Sequence, residues 1–147
     1  MAARPRVALH QLDRVLKRLP RLPPRSRATA RDGDPAFAST PFIKLAPFDR
    51  GGVFVGRFRG QTPWERHRRG DELVHVLEGE VDLTVLKTSG PAHLTLTSGS
   101  LFIVPRGRWH RQRTRGDVTL LSATPTPTDI SFATDPRRER RPRTTRR

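Results

Sequence analysis

Between residues 53 and 121, apolar side chains come in short runs that alternate with polar ones, as in Val81-Asp82-Leu83-Thr84-Val85 and His93-Leu94-Thr95-Leu96-Thr97. A period of two puts successive side chains on opposite faces, the signature of strands with one buried face. Six segments read this way: 53–59, 73–77, 81–86, 93–97, 101–104 and 118–121. They are separated by turn chemistry: Gly51-Gly52, Gly70-Asp71, Glu78-Gly79-Glu80, Ser89-Gly90-Pro91, Ser98-Gly99 and Gly116-Asp117. No helical pattern longer than a turn or two interrupts 42–130, so there are no crossover helices to join parallel strands. The pattern predicts an all-β, antiparallel sandwich or small barrel.

Helical period occurs once, earlier in the chain. Leu12, Val15, Leu16 and Leu19 recur at i, i+3, i+4 and i+7 between Pro5 and Pro20, with Lys17 and Arg18 on the polar side. This predicts one short amphipathic helix in an arm that packs weakly on the body. The expected organisation is a basic arm over 1–41, a β domain over 42–134, and a disordered arginine-rich tail over 135–147.

At 147 residues the chain is long enough for one domain with a core. It has no cysteine, which excludes disulfides, thiolate metal sites and thiol nucleophiles. No apolar run approaches the roughly 20 residues of a membrane-spanning helix, and the start lacks the apolar stretch of a secretory signal, so a cytoplasmic location is expected. The formal charge of +15 sits mostly at the ends: +6 over 1–41 and +5 over 135–147, against +4 for the longer body. Nucleic acid is therefore not expected as a partner except non-specifically through the tails.

The chemistry gathers around two segments. After Pro63-Trp64, Glu65 and His67 project to one side of an extended backbone, and Glu72 follows past the Gly70 turn. His110 follows the 101–104 strand and a Pro105-Arg106-Gly107 turn. Two imidazoles and one or two carboxylates from separate strands make a ligand set for a divalent ion. His75 has the opposite parity to Glu72 and is expected to be structural. Trp64 and Trp109 are expected to pack at the barrel mouth.

The spacing resembles the two motifs of the cupin family. Gly99, five residues, Pro105, Gly107 and His110 reproduce the second motif in full, and His67, Glu72 and Gly79 fit the first. Glu65 stands where the first motif has another histidine, and the leading glycine, Gly60, is one residue late. The resemblance covers roughly 42–128 and implies a single-domain cupin, a jelly-roll β-barrel. It also implies metal ligation by His67, Glu72 and His110. Glu65 can supply a fourth ligand, or it can pair with an arginine such as Arg108 and leave a three-ligand site. Two carboxylates make the site harder, which favours Fe(II) or Mn(II), with Ni or Zn as further options.

The fold does not choose a reaction. One expectation is a metal-dependent protein that binds a small organic anion, with dioxygenase-like chemistry; the alternative is a non-catalytic ligand-binding or sensor domain. Arg108 and Gln112 share the parity of His110 and are expected in the cavity. Arg108 would meet a carboxylate, and Arg57 is a weaker second substrate-binding candidate. The resemblance further implies a homodimer formed through sheet edges, with 53–59 as a participant.

Overall fold

A computed structural model describes residues 8–24 and 38–145. The arm holds α1 (Leu12–Arg18), as the period of its leucines predicts. The body holds β1 (Ala38–Ser39), β2 (Ile43–Phe48), β3 (Gly51–Gln61), β4 (Trp64–His67), β5 (Glu72–Glu78), β6 (Glu80–Lys87), β7 (Gly90–Thr97), β8 (Leu101–Val104), β9 (His110–Pro125), β10 (Thr128–Ser131) and β11 (Arg143–Thr145). Every pairing among them is antiparallel, and the strands form one curled sheet. This is the all-β jelly-roll architecture that the alternating pattern and the two motifs predict.

β9 organises the curl. Its first half pairs with β6, where Val85 faces His110 and Asp82 faces Arg113. Its second half pairs with both β3 and β5, where Leu121 faces Val55 on one side and His75 on the other. The sequence predicts only 118–121 as strand here, because Gly116-Asp117 reads as a turn. In the structure that dipeptide marks a change of partner within a continuing strand. Thr114 Oγ1 donates to the Gly116 carbonyl at 2.6 Å and accepts from the Gly60 amide at 3.0 Å, so the irregularity is hydrogen-bonded internally. Gly60 sits there at φ 90, a backbone conformation that side chains resist.

Alternation decides what the curl encloses. Phe58, Val74, Val76, Val81, Leu83, Val85, Leu96, Val104, Val118 and Leu120 form the buried core. The even positions of β3 face inward and the odd ones outward, and Arg57 lies on the outer face. There it donates to the carbonyls of Leu19 (3.4 Å) and Pro20 (3.0 Å), while Leu19 and Leu22 are buried. The arm thus has a defined seat on the sheet.

Three expectations change. The sheet begins at β1, ahead of the expected boundary at 42. Segment 53–59 is not an edge, because β3 is paired with β9 on one side and with β1 and β2 on the other. The tail expected to be disordered is built into the sheet as far as it is described: β11 pairs with β10, Pro136 is buried, and Ser131 hydrogen-bonds Glu139. A charged composition hid this, since three residues of added strand need little apolar surface when their backbone pairs.

Candidate metal centre

Three of the strand pairings and one turn bring the candidate ligands together. β4 lies between β9 and β10, with Glu65 opposite His110 on one side and His67 opposite Thr128 on the other. β5 starts at Glu72, held opposite Val104 at the end of β8. The turn between β8 and β9 is tied to β4 by a bond from the Gly107 amide to the His67 carbonyl at 2.8 Å.

The side chains converge on one point. Glu72 Oε2 lies 2.9 Å from His110 Nε2 and 3.2 Å from His67 Nε2, and all three side chains are buried. These three atoms are buried without a well-directed hydrogen bond. Glu65, half-buried, completes a group with His67 and His110 in which one ligand atom from each lies within 4.8 Å of the others.

The groups behind the site fix its orientation. His110 Nδ1 donates to the Arg108 carbonyl at 3.3 Å, which turns Nε2 toward Glu72. His67 Nδ1 is 3.2 Å from Thr128 Oγ1, which orients its Nε2 in the same way. Thr124 Oγ1 donates to Glu72 Oε1 at 2.6 Å, so the other carboxylate oxygen is the one presented to the histidines. Burial opposes the charge on Glu72, but the close contacts with His110 and His67 outweigh it and hold the carboxyl well below the usual carboxylate range. Burial likewise opposes a charged His110, yet the neighbouring Glu72 pushes its pKa up.

This donor set fits a divalent ion. Adjacent ligands on an octahedral ion with bonds of about 2.1 Å stand about 3 Å apart, close to the two separations at Glu72 Oε2. Three buried donor atoms without directed partners are costly unless something satisfies them. Imidazole and carboxylate together suit iron, manganese, nickel or zinc.

A cavity of about 400 Å³ opens beside the centre. Phe42, Phe54, Phe58, Leu120 and Ile130 give it an apolar wall, while Glu65, Glu72 and Gln112 bring polar groups into it. Gln112 Oε1 is buried there without a hydrogen-bond partner. The sequence does not single out Ser122, Thr124 and Thr128, which also line the cavity. For Ser122 and Thr124 the signal was available in β9, where the parity of Leu120 continues through both; Thr128 lies on β10, which carries no such pattern.

Two substrate-binding candidates lie elsewhere. Arg108 donates to Thr88 Oγ1 at 3.1 Å and does not line this cavity. It sits in the turn before β9 starts, where strand parity with His110 does not hold. Arg57 is on the outer face, bound to the arm and to Thr119 Oγ1 at 3.1 Å. No arginine or lysine lines the cavity among the described residues. Trp64 and Trp109 are buried, with Arg111 stacked on the first and Arg66 on the second, each 4.4 Å from the ring centre. His75 lies on the outer face between Leu101 and Leu121, and His93 Nδ1 pairs with Thr84 Oγ1. No described helix is long and apolar enough to cross a membrane.

Comparison with known proteins agrees with this geometry. Residues 58–124 match the family model of the cupin domain. Germin-like protein 1-1 of Oryza sativa subsp. japonica is 38% identical over 58 residues, covering 39% of this chain and 27% of that protein. Nectarin-1 of Nicotiana plumbaginifolia is 35% identical over 60 residues, covering 40% and 26%. The matches thus span about a quarter of the length of these relatives. Among solved structures, protein NMB1881 from Neisseria meningitidis superposes with a TM-score of 0.54 at 16% identity, over 84% of this chain and all of that one. Hydroquinone 1,2-dioxygenase PnpCD, solved with Cd2+ and 4-hydroxybenzonitrile, gives 0.51 at 21% identity, over 58% and 63%. At these identities the likeness is one of fold.

Proposed function

From the premise that this chain belongs to the cupin superfamily, we propose that it is a metal-dependent protein whose cavity takes a small organic anion. His67, Glu72, His110 and Glu65 would hold the ion. The observation that carries this reading is the convergence of His67 Nε2, His110 Nε2 and Glu72 Oε2, buried and without directed partners. A bound Fe(II) or Mn(II) ion supplies Lewis acidity and the one-electron steps of dioxygenase-like chemistry.

The chain's own residues set what enters. The apolar body of the ligand lies against Phe42, Phe54 and Leu120, which exclude water from the centre. The Gln112 amide hydrogen-bonds a polar group of the ligand, and Thr124 keeps Glu72 turned toward the histidines. With no cation in the wall among the described residues, the anionic oxygen is directed to the centre, and the net positive charge of the chain favours the approach of anions.

Cobalt(II) substitution tests the reading, because its visible spectrum responds to a change of ligand. Adding a small aromatic carboxylate or phenolate should shift the spectrum saturably in wild type and more weakly in Gln112→Leu. A spectrum unmoved by any such anion would overturn the ligand assignment.

A further inference from the structure

We infer that the chain has a second, anion-selective ligand site, formed between the β6–β7 turn and the turn before β9. A cavity of about 420 Å³ lies there, separate from the metal centre and sharing no lining residue with it. Val85, Ala92 and Phe102 form its apolar wall, while Lys87 and Arg108 stand among its lining, which holds no carboxylate among the described residues. Val85 is buried, so the floor reaches the core, whereas Lys87 is exposed, so the cationic end is open to solvent.

Arg108 is the residue that defines the site. Its carbonyl accepts from His110 Nδ1 on the metal side, while its guanidinium turns away and is held by Thr88 Oγ1 at 3.1 Å. One bond to a hydroxyl leaves most of the five guanidinium N–H donors for another acceptor. Two cations, an apolar wall and no carboxylate make a complementary surface for an amphipathic anion. The occupant is a small organic carboxylate with an aliphatic tail, the tail against Phe102 and Ala92 and the carboxylate between Lys87 and Arg108. A guanidinium takes a carboxylate in a two-point geometry that a neutral amide cannot match.

Calorimetric titration with octanoate, and with octanamide as its neutral counterpart, tests the site. Wild type should bind octanoate saturably. The double variant Lys87→Gln Arg108→Gln should bind octanoate about tenfold more weakly or worse, with octanamide binding unchanged. Ala92→Trp, its folding checked by circular dichroism, should bind neither compound. Because the metal centre is itself read as an anion site, the titrations are repeated in the His67→Ala His110→Ala background, where octanoate should still bind at one site per chain and lose about tenfold in affinity when Lys87→Gln Arg108→Gln is added. Absence of saturable octanoate binding, equal affinity in the lysine–arginine double variant, or loss of binding in the histidine double variant would each overturn the proposal.

Discussion

Thr128 and Asp129 are neighbours on β10 with separate duties. Thr128 Oγ1 orients His67 through its Nδ1, and partners of this kind change metal affinity by roughly 10–100-fold when removed. Thr128→Val should therefore lower affinity about tenfold in a competitive metal titration without unfolding the protein, because valine keeps the shape of threonine. Asp129 points the other way and is buried under Arg66 and Arg68, which donate to its Oδ2 at 2.6–3.0 Å, while Thr144 donates to its Oδ1 at 3.0 Å. Burial opposes its charge, yet these donors outweigh it and hold its pKa below the usual value. A folded-state pKa below the unfolded one, about 3.9, gives stability that is complete above the unfolded value and is lost as the pH falls through the folded value. Asp129→Asn should cost about 2 kcal/mol at neutral pH, the scale of a charged hydrogen bond. The gap from wild type should close as the pH drops below about 4. Denaturant melts at neutral and acidic pH check this, and a gap that persists in acid would contradict it.

At the scale of elements, what the sequence disclosed followed from its periods. The alternation in β6 and β7, the leucine spacing in α1 and the motif around His110 were legible because each is a local pattern with a physical meaning. β10 and β11 were not, since Thr128–Ser131 and Arg143–Thr145 carry few apolar residues and are strands only because a neighbouring backbone pairs with them. The same limit applies to the site. Parity along β4 and β9 brings Glu65, His67, His110 and Gln112 to one side, but parity could not follow Arg108 through a turn. The built-in tail carries its own consequence. Removing residues 143–147 deletes a paired strand and the Thr144 bond to Asp129. A loss of about 1 kcal/mol should lower the melting temperature by about 3 °C; an unchanged melting curve would show that β11 adds nothing.

For the whole molecule, the exposed edges bear on assembly. β3 is covered on both sides, whereas β8 pairs only with β5 among the described residues, and its Leu101 and Ile103 are 55% and 43% exposed. An open edge bearing apolar side chains is a pairing surface, so the homodimer is expected through β8. Light scattering should give a dimer mass for wild type and a monomer mass for Leu101→Lys Ile103→Lys; a monomeric wild type would contradict pairing through β8. The metal centre stands apart from this question, since all four of its candidate ligands come from one chain. Its most direct test is the metal content of the purified protein, measured by plasma mass spectrometry beside the His67→Ala His110→Ala variant. Wild type should hold close to one divalent ion per chain and the variant essentially none, with both proteins folded. Equal metal in the two, or none in a wild type supplied with iron and manganese, would contradict it.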